Sequence, residues 1–295
     1  MSFFKKNKIL VTHNGTFHAD DIFATAVLSI LNKGDIKVFR TRDQEIIKKG
    51  DYVYDVCGEY DPSRNLFDHH QKGGAGIRAN GIPYASLGLV WKTYGEQICG
   101  SKDVALKIEE RLVYPIDAND NGINLFDIKN GISPYTLQDM LYSFRPSWKE
   151  KQDYDLIFLD LVSIAVKILK REIIKTKDDL EARSFVLKAY EESTDKRLII
   201  LEGNYPWVDT IDSCEEPLYI ISMKSDLWRV EAVRKEKFNF ATRKPFPENW
   251  AGKRDQELVD ATGVRDAIFC HNGRFLAVAK SKEGAIELAQ KALIA

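Results

Sequence analysis

Short apolar runs alternate with helix-length segments through the first part of the chain. β-Branched and aromatic residues crowd positions 8–12 (KILVT), 36–40 (IKVFR) and 52–56 (YVYDV), and a fourth short run ends at Phe67. Strands spaced in this way predict a parallel α/β sheet. Between the first two, apolar residues recur at Ile22, Phe23, Ala26, Val27, Ile30 and Leu31 and stop before Gly34, the pattern of an amphipathic helix with a C-terminal glycine. Segments 84–98 and 102–118 also read as helices, 155–170 is apolar on nearly every side, and 177–192 continues the helical stretch. From Arg197 the texture turns to strands: RLIIL, PLYIIS, WRVEAV, AIFCH and RFLAVA. Asn272-Gly273 between the last two predicts a two-residue hairpin turn, and 284–295 a closing helix. The expected class is α/β, with a parallel-sheet domain over 1–150, a helical connector over 151–192 and a smaller α+β domain over 193–295.

Composition narrows the function classes. A chain of 295 residues that is 44% hydrophobic can bury a large core, which excludes a disordered or fibrous protein. Forty-three basic against forty-four acidic residues give a net charge of -1, so the chain lacks the basic surface of a nucleic-acid packager. Any polyanion must meet a local patch. The opening MSFFKKNKILVTH has no apolar run of signal-peptide length, and no later run approaches a membrane span, so the expected location is cytoplasmic. Cys57, Cys99, Cys214 and Cys270 are widely spaced without a CxxC pair, which predicts reduced, mostly packed thiols.

The candidate chemistry lies at strand ends. All five histidines fall at predicted strand ends or in the loops that follow, and four of them neighbour carboxylates. Ligands of open α/β sheets collect beyond the carboxyl ends of the strands, where loops converge on a rigid support. His13 follows the first strand, Asp55 ends the third, and Asp68, His69 and His70 follow the fourth. Imidazole mixed with carboxylate, and no thiolate, suits a borderline-to-hard divalent ion such as Mn²⁺, with Mg²⁺ as the alternative.

HNGTFHADD over 13–21, YDVCG over 54–58 and FDHHQ over 67–71 resemble the first three motifs of the Asp-His-His (DHH) phosphoesterases. Within that superfamily the chain is similar, over essentially its whole length, to the melanocyte proliferating gene family of exonuclease-like proteins. IDANDNG over 116–122, RKPFPENWAG over 243–252 and IFCHNGRF over 268–275 also match that family's blocks. DHH proteins commonly carry an aspartate where this chain has His18, a substitution typical of this branch that keeps a ligand and removes a negative charge. The resemblance implies two ions, one held by His13 and His18, the other by Asp20 and His69, with Asp55 bridging. The fourth-motif carboxylate is Asp120, with Asp117 as the substitute. Three aspartates against two divalent ions leave a site able to attract phosphate and activate water. His70 is then expected to hydrogen-bond substrate or protonate the leaving group, while Asp68 orients an imidazole.

QKGGAGIR over 71–78 offers Lys72 and Arg78 as further phosphate contacts, although its spacing matches no P-loop. Arg243 and Lys244 lie in a basic and aromatic cluster with Trp228, Arg229, Arg234, Trp250, Lys253 and Arg254, a mixture suited to a nucleotide or a single strand. The resemblance implies substrate binding here and a phosphate contact from the hairpin bearing His271 and Arg274. The expected activity is metal-dependent phosphodiester hydrolysis, with 3′–5′ removal of nucleotides from single-stranded RNA or a short oligonucleotide implied by the family. The alternative is a phosphatase acting on pyrophosphate or a small nucleotide.

Overall fold

A computed structural model describes residues 7–236 and 241–295; residues 1–6, part of the stretch read for a signal segment, lie outside the described residues. The chain divides into two compact units, one extending to Lys177 and the other beginning at Asp178. Each combines helices with one five-stranded sheet.

The sheet of the first unit is built from β1 (Lys8–Thr12), β2 (Ile36–Arg40), β3 (Tyr52–Tyr54), β4 (Tyr60–Asp61) and β5 (Leu66–Phe67), in the order β2-β1-β3-β5-β4. The pairings β1–β2, β1–β3 and β3–β5 are parallel; only the short edge strand β4 is antiparallel. The carboxyl ends of β1, β3 and β5 therefore share one edge, which carries His13, Asp55 and Asp68.

Helix α1 (Ala19–Leu31) is buried on all sides from Ala19 to Leu28, so the expected amphipathic helix is a core helix, with solvent reaching only its last turn. It ends at Asn32, and Lys33 and Gly34 follow with φ of 57° and 84°. The short α2 (Gln44–Ile47) precedes β3. Helix α3 (Ser86–Cys99) packs on α1. The stretch read as one helix over 102–118 is α4 (Lys102–Ile108), a π-helical turn over Glu109–Val113, and α5 (Tyr114–Asp120). Pro115 explains the break, because it has no N–H to continue the ladder. Helix α6 (Leu137–Tyr142) is capped by Thr136, whose Oγ1 accepts from Asp139 N–H at 3.2 Å. Helix α7 (Tyr154–Glu192) runs unbroken for 39 residues and carries the boundary between the units.

The second unit contains β6 (Leu198–Leu201), α8 (Val208–Ile211), β7 (Tyr219–Lys224), β8 (Leu227–Ala232), α9 (Asp255–Thr262), β9 (Ala267–Cys270), β10 (Leu276–Ala279) and α10 (Lys282–Ile294). Its sheet order is β6-β7-β8-β10-β9, and only β6–β7 is parallel. The β9–β10 connection differs from the expected two-residue turn. His271 N–H donates to Leu276 O at 2.8 Å and Arg274 N–H to His271 O at 2.8 Å, closing a wider loop. Arg274, not Gly273, takes the left-handed conformation, with φ of 56°. Among the described residues no helix is long and apolar enough to cross a membrane. The four cysteines are free, and Cys99 and Cys270 are buried.

Candidate metal centre

His13 leaves β1, and His18 is the N-cap of α1, whose first turn holds Asp20 and Asp21. Strand β3 stops at Tyr54, earlier than the sequence pattern predicts, because Asp55 takes a left-handed φ of 60°. This conformation is uncommon for a residue with a side chain and concentrates at functional sites. The Asp55 carboxylate then lies between the imidazoles: Oδ2 is 3.2 Å from His13 Nε2, while Oδ1 is 3.5 Å from His69 Nε2 and 3.5 Å from His70 Nδ1.

Asp68 is buried and organises the segment after β5. Its Oδ1 accepts from His69 N–H at 2.7 Å and His70 N–H at 3.1 Å, and lies 2.7 Å from His70 Nδ1. Gly58 N–H donates to Oδ2 at 2.5 Å. Burial opposes ionisation, but His70 and these N–H donors hold the Asp68 carboxyl below its ordinary range. In return Asp68 raises the His70 pKa against a smaller opposing effect of burial.

Potential ligand atoms of His13, His18 and Asp55 lie within 4.8 Å of one another; so do those of Asp20, His69 and Asp120, and those of Asp55, His69 and His70. Asp55 and His69 each belong to two of these groups. The geometry fits divalent cations better than direct pairing. His13 Nε2 and His69 Nε2 are buried within 3.5 Å of carboxylate oxygens yet make no well-directed hydrogen bond. Without a cation they would draw protons. Burial opposes charge, but Asp21 and Asp55 push His13 up to about 10. Asp120 and Asp55 likewise push His69 up to about 11 against burial. Asp20, fully buried beside Asp120 and Asp55, is held well above its usual value by burial first and by those charges second.

Helix α3 supplies supporting dipoles. Its N-cap, Ala85, has no capping side chain. Asp20 instead accepts from Ser86 N–H at 3.2 Å and Leu87 N–H at 2.7 Å, while Asp117 accepts from Gly88 N–H at 3.1 Å. Two carboxylates distant in sequence thus satisfy the orphan donors of this helix start. Ser86 Oγ also donates to Asp55 Oδ1 at 3.4 Å.

The two candidate fourth-motif carboxylates occupy different surroundings. Asp120 lies 3.2 Å from His69 Nε2 and 3.7 Å from His18 Nδ1. Asp117 is completely buried and paired at 2.7 Å with Arg78 Nη1. Arg78, read from sequence as a phosphate contact, is itself buried between the rings of Tyr84 and Tyr114, and its Nε donates to Glu109 at 3.0 Å. It therefore offers no open cation. Asp21, which the motif reading leaves without a role, joins the site: its Oδ1 accepts from His18 N–H at 2.8 Å and its Oδ2 lies 3.2 Å from His13 Nε2. The adjacent acidic pair in HADD was the available signal.

In the second unit, Arg243 Nη1 donates to the carbonyls of Cys214 at 2.5 Å, Glu215 at 3.1 Å and Pro217 at 3.1 Å, and its Nε to that of Arg234 at 3.2 Å. Lys244 Nζ donates to Leu293 O at 2.8 Å. These sequence-selected cations are thus engaged by main chain. Trp250 is buried and stacks on Phe246, so it belongs to the core instead of an open aromatic groove. His271 and Arg274 share the β9–β10 loop; His271 Nδ1 accepts from Gly273 N–H at 2.9 Å, and its ring lies 4.2 Å from that of Phe275.

Residues 9–293 match the MYG1 exonuclease model, described as an uncharacterised protein family, UPF0160. The MYG1 exonuclease of Homo sapiens is 31% identical over an alignment that covers 96% of this chain and 85% of the human protein. A MYG1 protein of Schizosaccharomyces pombe is 29% identical, with 96% of this chain and 97% of the yeast protein covered. One from Caenorhabditis elegans is 31% identical, with 97% and 95% covered. A match spanning nearly the whole chain places the protein in the MYG1 family.

Proposed function

We propose that this chain is a DHH-type, divalent-metal-dependent phosphodiester hydrolase that removes nucleotides from the 3′ end of single-stranded RNA in the cytoplasm. The observation that carries the reading is the convergence of four imidazoles and three carboxylates at one sheet edge, with two histidine nitrogens left buried and misdirected toward their neighbours. His13 and His18 would hold one Mn²⁺ and Asp20, His69 and Asp120 another, with Asp55 shared. Such a pair supplies water activation and neutralisation of phosphoryl charge.

The remaining roles belong to the chain. Asp68 fixes the His70 imidazole, which is exposed enough to meet a phosphoryl oxygen and, with a raised pKa, carries a proton for it or for the leaving oxygen. Asp20 serves both as ligand and as cap of α3, so metal binding and helix placement are linked. His271 and Arg274 are the substrate contacts proposed in the second unit. The nuclease assignment draws on the naming of the human relative as an exonuclease, while RNA and polarity come from the family resemblance.

The test is digestion of single-stranded oligoribonucleotides labelled at either end, with Mn²⁺, with Mg²⁺ and with chelator, beside pyrophosphate as competing substrate. Metal-dependent stepwise shortening from the 3′ end is expected. Rapid pyrophosphate hydrolysis with intact oligonucleotide would replace the nuclease by a small-molecule phosphatase.

A further inference from the structure

Next to the candidate centre, the first unit carries a pocket of about 350 Å³ that the metal chemistry does not use. It lies between the end of α5, the loop that follows, and the start of α6. Ile116, Ile123, Leu125 and Phe126 provide apolar wall, and Asn119 and Gln138 add amide groups. This size lies at the lower end of the ~300–1,000 Å³ range of small-molecule sites, and an apolar wall with a few polar groups is their usual lining.

Its position is fixed by the same residues that build the centre. Asn119 directly precedes Asp120, and Gln138 Oε1 accepts from Ala19 N–H at 3.1 Å, between His18 and Asp20. Pocket and centre therefore share α5, and Gln138 ties the pocket wall to the α1 N-terminus. Leu125 and Phe126 nevertheless remain 45% and 41% exposed, apolar surface with an open face. A flat heteroaromatic ring joined to a phosphate matches this juxtaposition: the ring gains apolar contact, the amides can meet its polar edge, and the phosphate extends toward the imidazoles and carboxylates.

The geometry points to this pocket as the nucleobase subsite for the nucleotide whose phosphoester is cleaved. The inference rests on the hydrolase reading for its place in a reaction, but binding is separable from turnover. A base held here makes the enzyme selective for nucleotides over other phosphoesters while tolerating different bases, because the wall is apolar and recognition rests on a ring face.

Calorimetric binding of adenosine 5′-monophosphate and of ribose 5-phosphate tests it, using full-length metal-loaded protein, wild type, Phe126→Ala and the blocking variant Leu125→Trp. Wild type is expected to prefer the nucleotide by about tenfold or more, the scale of one stacked base. Both variants should erase that preference, leave ribose 5-phosphate binding unchanged and retain the wild-type metal content. Equal wild-type affinity for the two probes would overturn the subsite, as would variants that keep the preference or lose both probes alike. Oligonucleotide assays on the same preparations separate the two readings. Preferential nucleotide binding without phosphoester turnover would refute the hydrolase and leave the subsite standing. Turnover equally fast on an oligoribonucleotide with an abasic terminal nucleotide would refute the subsite and leave the hydrolase standing.

Discussion

Arg78 Nη1 lies 2.7 Å from Asp117 Oδ2, and both side chains are buried in the first unit. The pair ties the loop after the Asp-His-His segment to α5, one turn before Asp120. Burial pushes the Asp117 carboxyl up to about 7 even though Arg78 opposes the shift. Gly88 makes room for this arrangement, since a Cβ there would stand 1.9 Å from Asp117 Oδ2 and 2.5 Å from Arg78 Nη2.

Loss of one member should cost more than loss of both. Arg78→Met alone strips buried Asp117 and neighbouring Glu109 of their shared cation and is expected to destabilise the protein by about 3 to 5 kcal/mol, whereas Arg78→Met combined with Asp117→Leu recovers part of that loss. Urea unfolding of the single and double variants decides it. A single variant within about 1 kcal/mol of wild type would show that the pair carries little of the local stability.

Asp117 and Asp120 should separate by what they lose. Asp120→Asn is expected to lower Mn²⁺ affinity and activity while leaving unfolding nearly unchanged. Asp117→Asn should chiefly lower stability, because it weakens the partner of Arg78 and the acceptor for Gly88 N–H. Asp55→Ala, which removes the shared carboxylate, should leave fewer than two tightly bound ions per chain and no turnover. Metal analysis of purified variants, followed by activity at saturating Mn²⁺, tests the assignment; full metal content in Asp55→Ala would remove that residue from it.

Much of this site was legible because strand periodicity locates strand ends and strand ends locate convergent loops. His13, Asp55 and the segment 68–70 are found this way. What escaped depended on tertiary placement. Asp21 is one residue from Asp20, yet only the orientation of α1 sends it to His13. Asp21 therefore joins Asp20, Asp55 and Asp120, the three aspartates of the charge count, beside the histidines, while Asp68 holds His70 from the other motif. Capping of α3 by Asp20 and Asp117 was equally hidden, because both acceptors come from other helices. In the second unit, the basic character around Arg243 was visible but its use by carbonyls was not.

Metal affinity should rise with pH. In the metal-free protein His13 is pushed up to about 10 and His69 to about 11, with Asp21 and Asp55 acting on the first, Asp120 and Asp55 on the second, and burial opposing both. Because these folded-state values exceed the ordinary imidazole value, protonation stabilises the empty site fully below about pH 6.5, and that contribution fades as pH passes the raised values. An ion must displace these protons, so the logarithm of affinity should climb between pH 6 and 9 with a slope approaching ~2 if both histidines are ligands. Calorimetric Mn²⁺ titrations in buffers of different ionisation enthalpy count the protons. A flat profile would mean that neither histidine loses a proton on binding.

Arg243→Ala should act on stability before it acts on substrate. The guanidinium gathers carbonyls from Cys214, Glu215, Pro217 and Arg234, joining the segment before β7 to the one after β8. Charge-assisted bonds of this kind contribute about 1.5 to 3 kcal/mol in total where partly buried, and their removal leaves several carbonyls dependent on water. The expected variant unfolds at lower urea, retains wild-type metal content and shows a KM for oligoribonucleotide close to wild type at temperatures where it stays folded. His271→Ala and Arg274→Ala provide the contrast, since the proposed substrate role predicts a higher KM with little change in unfolding. Salt dependence adds a second readout: loss of a phosphate contact should reduce the slope of log affinity against log salt by about 0.7 for a single strand. A reduced slope and raised KM in Arg243→Ala, with unchanged stability, would return that arginine to substrate binding and show that its carbonyl contacts give way when a strand is present.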